Sequence, residues 1–271
     1  MLDPQGPIGA GDAEITINAL EIMLVIVVPT ILAILGFAWW FRASNTRARY
    51  LPQWTYSGRI EIVVWSIPLL VIMFLAGLTW IGSHDLDPYK PIASNSKPVE
   101  VQVVSLDWKW LFIYPDQRIA SINELTVPAG VPVHFSLTSA TVMNSFFVPQ
   151  LGSMIATMNG MVTQLYLQAD HAGEYYGEFA QFSGDGFSDM HFAVHALPAD
   201  AFAQWVAKVQ QAGPVLDQAG YMALLKESEN VKPYTYRAAD SDLFDKIVTD
   251  QLPPGAGPGT SGPSGRPQGA Q

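Results

Sequence analysis

Two long apolar stretches constrain this chain more than any other feature. Residues 22–41 (IMLVIVVPTILAILGFAWWF) and 62–81 (IVVWSIPLLVIMFLAGLTWI) each contain twenty residues without a charged side chain. Twenty residues of helix rise about 30 Å, which is the thickness of the hydrocarbon core of a bilayer. Trp40 and Trp80 lie near the ends of these stretches, where aromatic side chains favour the membrane interface. The sequence therefore predicts a transmembrane helical hairpin over residues 22–81.

A signal peptide is the alternative interpretation of the first stretch. The stretch is longer than the apolar core of a signal peptide, and no Lys or Arg precedes it. Pro29 and Pro68 each remove a backbone hydrogen bond, but membrane helices tolerate proline where neighbouring helices or kinks absorb the loss. Both stretches are therefore predicted to span the membrane.

The distribution of basic residues predicts the orientation of the hairpin. The loop 42–61 contains four arginines, whereas residues 1–21 contain four acidic residues and no basic ones. Because basic residues favour the cytoplasmic side, we expect a cytoplasmic loop and an exported N-terminal tail at residues 1–21. Everything after the hairpin is then exported too. An exported N-terminus commonly requires an upstream export signal, so we expect the displayed start to be a truncated or a processed end.

Charge and cysteine content exclude several classes of function. The net charge is −10 and only 14 of the 271 residues are Lys or Arg, which argues against nucleic-acid binding. The chain contains no cysteine, so it can form neither a disulfide framework nor a thiolate metal site.

The exported part is predicted to begin with a linker, residues 82–97, and to continue as a β-sandwich. Residues 98–198 alternate apolar and polar side chains in short runs such as VPVHFSL and MHFAVHAL, separated by turn sequences such as PAG and HAG. About a hundred residues suffice for two packed sheets. We therefore expect an antiparallel β-sandwich, which makes the fold class α+β.

A small helical appendage is predicted for residues 199–252. Phe202, Val206 and Val209 lie at helical spacing, with Asp200 as the expected N-cap and Gly213 as the expected end of the helix. The last stretch, residues 253–271, consists largely of Gly, Pro and Ser and is predicted to be disordered.

Histidines and methionines are the remaining candidates for metal ligands. In a strand, the four-residue separation of His191 and His195 spans about 13 Å, too far for one metal ion. The alternation of the sequence favours a strand there, so both histidines are expected to be solvated, as is His134 in VPVHFSL. Met161 and Met190 are expected in the core rather than at a metal, because a thioether alone binds weakly.

Several long motifs resemble subunit II of the haem–copper terminal oxidases. They are LDPQGPIG, GFAWWFRASN, IEIVVWSIPLLVIMFLAGLTW, DWKWLFIYP and VMNSFFVPQLGS, within a likeness that covers residues 1 to about 210. Within that superfamily the sequence is most similar to subunit II of the cytochrome bo-type ubiquinol oxidases. The resemblance implies a multi-pass protein of the bacterial inner membrane in an aerobic respiratory chain. Its cupredoxin-like sandwich and both of its termini are expected in the periplasm.

The resemblance also implies that a copper site has been lost. In cytochrome c oxidases the sandwich binds two copper ions through two cysteines, two histidines and a methionine. The family's first histidine corresponds to Asn144, its two cysteines fall near Phe182 and Gly186, and its second histidine falls near Phe187. Only Met190 remains, and a mixed-valence copper pair requires thiolate bridges. We therefore expect no cofactor in this chain, and haems and copper in a partner subunit I.

Glu61, at the start of the second span, is the candidate for proton chemistry. In the family, a glutamate at this position marks the entrance of a proton-conducting path into subunit I. A carboxylate at a membrane edge can exchange protons with water and pass them inward. The alternative is an interfacial charge paired with Arg59 or Arg49 that fixes the depth of the helix. The sequence leaves both open.

Two tryptophans of the DWKW motif and two aspartates of a later loop are predicted to have structural roles. Trp108 and Trp110 match an aromatic patch that, in the copper-bearing relatives, lies between donor and metal. Here we expect core packing and contact with subunit I. Asp185 and Asp189, in the loop FSGDGFSD, are expected to be solvated residues that cap turns.

The predicted function is that of a non-catalytic subunit II in a quinol oxidase that reduces oxygen to water and pumps protons. The resemblance implies subunits I, III and IV, membrane lipid and a quinol, with ubiquinol favoured, as partners, and excludes cytochrome c. A membrane-anchored binding or copper-assembly module is the alternative, but it should cluster Met or His on one face, and this sequence scatters them. A degenerate cytochrome c oxidase subunit would need a second ligand set that the sequence lacks.

Overall fold

The computed structural model describes residues 2–49 and 51–255. The chain divides into a unit formed by residues 13–86 and a unit formed by residues 1–12 together with 87–271. Residues 256–271, which make up most of the predicted disordered tail, lie outside the described residues.

Two helices form the first unit and extend beyond the predicted spans. Helix α1 runs from Pro7 to Trp40, and helix α2 runs from Gly58 to Asp85. Both are long and apolar enough to cross a membrane, with mean hydropathies of 2.6 and 2.4 in their apolar windows. The predicted tail, residues 1–21, is therefore mostly helical, because Pro7 suits a first helical position and no proline interrupts the chain before Pro29.

The last carbonyls of α1 are capped by side chains of the loop that follows. The Arg42 guanidinium donates to the Trp39 carbonyl at 2.8 Å and lies 4.9 Å from the centre of the Trp39 ring. The Asn45 amide donates to the Trp40 carbonyl at 2.6 Å. These bonds satisfy carbonyls that have no partner within the helix, so α1 ends here.

Ten strands form the predicted sandwich in two sheets. The strands are β1 Val99–Leu106, β2 Lys109–Tyr114, β3 Ile119–Ile122, β4 Glu124–Pro128, β5 Val133–Ser139, β6 Asn144–Phe147, β7 Ile155–Thr157, β8 Thr163–Leu167, β9 Gly173–Phe179 and β10 His191–Leu197. One sheet has the order β3-β2-β1-β5-β8, and the other has the order β4-β10-β9-β6-β7. The predicted fold class is confirmed.

The expectation of purely antiparallel sheets is wrong at two strand pairs. Strand β1 pairs parallel with β5, and β10 pairs parallel with β4. In both pairs several strands intervene along the sequence, so the chain has the length that a parallel crossover requires. Alternation within single strands does not reveal the direction of a neighbour, which is why the sequence pattern missed this.

The main core lies between the two sheets and is rich in aromatic rings. Trp110, Phe112, Phe146 and Phe192 are each at most 1% exposed. Their ring centres lie 5.2 to 6.5 Å apart, the separation at which edge-to-face and offset arrangements are favourable. This cluster joins the sheets and supports the loops at the end of the sandwich.

The appendage is less helical than predicted and covers one sheet. It contains α3 Ala199–Gln211, β11 Val215–Leu216, α4 Gln218–Leu224, β12 Tyr234–Tyr236, β13 Ala238–Ala239 and α5 Leu243–Val248. Strand β12 pairs with β3 and thereby becomes the sixth strand of the first sheet. A second core, which includes Leu106, Leu111, Tyr221 and Phe244, lies between that sheet and the appendage.

Helix α3 confirms the predicted apolar face and the predicted closure by Gly213, but not the predicted N-cap. Phe202 and Val209 are buried, and Val206 packs against the main core. The N-cap position is Pro198, and Asp200 lies in the first turn, where its charge complements the helix dipole. The helix ends at Gln211, before Gly213, whose φ is +113°.

The N-terminal segment is bound to the sandwich domain. The Gln5 amide donates to the Gln150 carbonyl at 2.8 Å, the Gly9 amide donates to the Leu151 carbonyl at 3.0 Å, and the Asp170 amide donates to the Gln5 carbonyl at 2.8 Å. At Gly6 a Cβ atom would overlap the Gln168 carbonyl oxygen, so glycine permits this close approach. Residues 2–12 therefore form part of the sandwich domain.

Candidate functional site

The loop between β9 and β10 contains three of the four positions that the sequence analysis predicted to correspond to copper ligands of the relatives. Its centre forms a short 3-10 helix, Asp185–Asp189. Phe182 is 77% exposed, whereas Phe187 is half-buried and lies edge-on to Phe179, with 5.3 Å between ring centres. A phenyl ring at two of these positions offers no electron pair to a metal.

Trp108 fills the space beside Gly186, the third of these positions. Trp108 lies at the tip of the β1–β2 hairpin with a φ of +58° and is only 5% exposed. Its indole N–H donates to the Ser183 carbonyl at 3.2 Å. A Cβ atom at Gly186 would overlap the indole ring, so Trp108 and a side chain at residue 186 exclude each other.

Asn144, the fourth position, belongs to a buried polar network at the start of β6. Its amide nitrogen donates to Ser105 Oγ at 2.8 Å, and Ser105 Oγ lies 3.0 Å from Thr157 Oγ1. Asn144 is 1% exposed, and its Oδ1 atom has no hydrogen-bond partner among the described residues. The network joins β1, β6 and β7, a role that the sequence analysis did not assign to Ser105 or Thr157.

These residues do not fit a dinuclear copper centre. The four positions supply one amide, two phenyl rings and one glycine, and the chain has no cysteine. Met190 is 2% exposed and packs in the main core, as expected. Within the described residues no group of three or more His, Cys, Asp or Glu side chains could hold a metal ion. Soft-metal bonding of a copper pair has no ligands here.

The histidines and Met161 differ partly from expectation. His191 and His195 lie on β10, as predicted, and His191 is exposed. His195 is half-buried, with Nε2 3.7 Å from a Glu124 carboxylate oxygen. His134 is not solvated, because its ring stacks on Tyr166 and its side chain is only 15% exposed.

The expectation that Met161 lies in the core is wrong. Met161 is 53% exposed, because it lies in the turn between β7 and β8 rather than on a strand. Asp185 and Asp189 are both exposed, and Trp108 and Trp110 are both buried, as the sequence predicts.

Glu61 lies in an open cleft in the first turn of α2. The cleft has a volume of about 680 Å³, and Tyr56, Arg59 and Trp65 line it together with Glu61. The Trp65 indole N–H donates to Glu61 Oε2 at 3.3 Å. Among the described residues, no ion pair joins Glu61 to Arg59 or Arg49 within 4.0 Å. The partner of Glu61 is thus an indole one helical turn away.

Lys109 is a buried charge that the sequence analysis missed. Its Nζ atom donates to the Lys226 carbonyl at 2.7 Å and to the Ser228 hydroxyl. Burial lowers the pKa of Lys109 to about 8, against the opposing effect of Asp107 and Glu227. Strand alternation in DWKW predicts only that Lys109 faces away from both tryptophans. The segment that covers it lies more than a hundred residues later.

Two helices long and apolar enough to cross a membrane, followed by a sandwich of two β-sheets, define the class of protein: a membrane-anchored β-sandwich protein. Residues 72–197 match the family described as cytochrome c oxidase subunit II, periplasmic domain, and residues 210–255 match the aromatic-rich motif of that family. The second match lies beyond residue 210, where the predicted likeness ended.

Three relatives show which kind of oxidase subunit II this chain is similar to. Ubiquinol oxidase subunit 2 of Acetobacter aceti is 49% identical over 92% of this chain and 81% of its own length. Cytochrome bo(3) ubiquinol oxidase subunit 2 of Pseudomonas aeruginosa is 48% identical over 92% of this chain and 75% of its own length. Quinol oxidase subunit 2 of Bacillus cereus is 35% identical over 83% of this chain and 78% of its own length. The chain belongs to the family of quinol oxidase subunit II.

The predicted relation to this family is therefore confirmed. The chain is a subunit of an oxidoreductase complex, and membership in the family implies partner subunits. Its two apolar helices anchor it to a membrane.

Proposed function

We propose that this chain is a non-catalytic subunit of a complex that takes electrons from membrane ubiquinol and reduces oxygen to water with proton pumping. The observation that carries this proposal is the chemistry of the former ligand positions. Asn144, Phe182, Gly186 and Phe187 offer no soft ligand, and Trp108 fills the space beside Gly186. Without a copper pair in this domain, the usual entry point for electrons from cytochrome c is missing.

The redox groups belong to a partner subunit in this proposal. Haems and a copper ion are held by subunit I, against which the helical hairpin packs, and subunits III and IV complete the complex in the lipid bilayer. The apolar side chains of both helices are exposed in the isolated chain, including Leu35, Phe37, Leu69 and Phe74 at 60% or more. Surfaces of this kind require lipid or apolar protein around them.

A bacterial inner membrane with both ends of the chain in the periplasm is the proposed location. Four arginines lie in the loop between the helices and none lies before them, which favours a cytoplasmic loop. The hydrogen bonds from Gln5 and Gly9 to the sandwich domain support the same topology. Two spans between the N-terminal segment and the sandwich leave both on one side of the membrane, where these bonds can form.

Glu61 is the proposed entry point for protons that travel toward subunit I. Its carboxylate lines an open cleft rather than an ion pair, so it can exchange protons with cytoplasmic water. We expect Glu61→Ala to slow turnover while the complex still assembles. Unchanged turnover in a fully assembled Glu61→Ala complex would remove this residue from the mechanism.

The identity of the electron donor is tested by an assay on the whole complex. The complex is purified through a tag on this chain, and its oxygen uptake is measured with ubiquinol and with reduced cytochrome c. We expect fast uptake with ubiquinol and only background uptake with cytochrome c. Faster uptake with cytochrome c would overturn the proposal, whatever the result at Glu61.

A further inference from the structure

A surface cleft of the sandwich domain takes no part in the proposed function. Its volume is about 730 Å³, which lies within the range of ligand-binding clefts. One wall is the outer face of β9 and β10, and the other is the irregular segment 230–233, which lies between α4 and β12. Parts of the chain that are far apart in sequence therefore meet around this space.

The wall formed by residues 230–233 is held in place by two buried side chains. Asn123 is 6% exposed, and its Nδ2 atom donates to the Val231 carbonyl at 2.8 Å. Its Oδ1 atom accepts a backbone N–H of β2 at 2.8 Å, so the side chain is held at both ends. Lys109 bonds to the Lys226 carbonyl at 2.7 Å, just before this wall. The width of the cleft is therefore fixed by hydrogen bonds that are largely shielded from solvent.

The opposite wall of the cleft carries two stacked rings. Tyr176 on β9 and His191 on β10 lie with 5.8 Å between ring centres and 26° between ring planes. Tyr176 lines the cleft and is 52% exposed, although its ring is packed against the imidazole. The face of an accessible aromatic ring attracts a cation, because its π-system carries partial negative charge. These rings therefore favour a positively charged ligand.

Carboxylates lie beside these rings. Glu174, Tyr176 and Glu178 alternate along β9, so all three share the outer face of the sheet. Glu174 and Asp189 line the cleft itself. Among the described residues, none of these three carboxylates forms an ion pair within 4.0 Å. Lys232 adds one ammonium group to the lining, so the two carboxylates leave the cleft with a net negative charge.

We propose that this cleft binds an arginine-bearing segment of a partner protein. A guanidinium group is planar, so it can stack on the Tyr176 ring while its N–H groups bond to a carboxylate such as Glu174. A metal ion does not fit, because within the described residues no group of three or more His, Cys, Asp or Glu side chains could hold one. The net charge of −10 attracts a basic partner to the chain as a whole.

The size of the cleft favours a protein segment over a small cation. Its volume of about 730 Å³ is much larger than one arginine side chain, which leaves room for the backbone on either side of the arginine. Asn123 and Asn230 also line the cleft, and their amide groups can bond to the peptide groups of such a backbone.

The test measures peptide binding to the full chain in detergent by isothermal titration calorimetry. The probe is a pentapeptide with blocked ends, in which an arginine is flanked on each side by two glycines. Matched peptides carry lysine or glutamate at the centre. We expect the arginine peptide to bind about threefold more tightly than the lysine peptide, because only the guanidinium group is planar, and the glutamate peptide to show no binding. The affinity should fall as the salt concentration rises from about 0.05 to 0.5 M.

Two variants locate the binding in the cleft, and a third is the matched control. Tyr176→Leu removes the ring and Glu174→Gln removes one charge, both at exposed positions, and each should weaken binding of the arginine peptide about threefold. Asp116→Asn removes one carboxylate outside the cleft, where the side chain is 50% exposed. Its affinity for the arginine peptide should stay within about 1.5-fold of that of the wild type.

Three results would overturn the proposal. The first is no binding of the arginine peptide, or equal binding of the arginine and glutamate peptides. The second is an equal loss of affinity in Asp116→Asn and in the two cleft variants. The third is equal affinity for the pentapeptide and for acetylarginine amide, because the ligand would then be a small guanidinium compound and not a segment of a protein.

Discussion

Lys109 should make the stability of the sandwich domain rise with pH between about 8 and 9.5. Its pKa falls from 10.5 in the unfolded chain to about 8 in the folded one, chiefly because burial disfavours the ammonium form. The unfolded state therefore binds more protons in this window, and the free energy of unfolding increases as the pH rises. The free energy of unfolding is thus lowest below pH 8, where the folded protein must bury a charged ammonium group.

The magnitude follows from the same two values. Two-state proton linkage between a pKa of about 8 and one of 10.5 gives a gain of about 1.6 kcal/mol from pH 8 to 9.5. Because part of the ammonium group remains accessible to solvent, we expect about 1 kcal/mol. The window stops at 9.5 because burial raises the pKa of five tyrosines, Tyr114, Tyr175, Tyr176, Tyr221 and Tyr236. These tyrosines lower the stability as the unfolded chain loses their protons near pH 10, and this loss already offsets part of the gain at about pH 9.5.

The assay is urea unfolding of the full chain in detergent, followed by the fluorescence of the buried tryptophans, at half-unit steps of pH. Lys109→Met should abolish the rise, because no amine then titrates in the window. Lys97→Met is the matched control, since the side chain of Lys97 is 77% exposed, and its slope should equal that of the wild type. The tyrosines are common to both proteins, so equal slopes in the wild type and in Lys109→Met would refute the reasoning.

Four further substitutions probe packing in the sandwich domain. Phe146→Ala should lower the free energy of unfolding by about 3–5 kcal/mol by opening a cavity, while Phe182→Ala, at a side chain 77% exposed, should change it by less than about 0.5 kcal/mol in the same urea titration. Gly186→Val should cost about 1–3 kcal/mol because it displaces Trp108, and tryptophan fluorescence should shift to longer wavelength; an unshifted spectrum would contradict the packing. Gly6→Val should raise the hydrogen exchange of the Gly9 amide without a change at β10, and equal exchange in both proteins would contradict the close approach at this glycine.

Features with a strong local signal were accessible from the sequence. Twenty uncharged apolar residues admit few folded environments, so both membrane helices could be predicted, and alternation placed β10 correctly on His191–Leu197. The absence of cysteine, which excludes any thiolate ligand in this chain, is likewise visible in the sequence itself. The start of α1 at Pro7 was missed, because a moderately polar helical turn lacks the apolar signal on which the prediction depended.

Features that depend on distant partners were not accessible. The parallel pairing of β1 with β5 and the burial of Lys109 under Lys226 both join segments far apart along the chain. His134 illustrates the same limit, because its strand position was predicted correctly, but the stacking of Tyr166 that covers it depends on the neighbouring strand. Local pattern therefore fixed which face a side chain occupies but not what lies against that face.

The pairing of β12 with β3 has a consequence for biosynthesis. A ribosome releases residues 119–122 long before residues 234–236, so the growing polypeptide presents β3 with one row of unpaired amides and carbonyls. During that interval the unpaired edge of β3 can pair with a strand of another nascent chain. Synthesis of residues 234–236 is therefore the step that pairs this edge of β3, and a stop codon introduced ahead of Tyr234 would leave β3 as an unpaired edge strand in every copy.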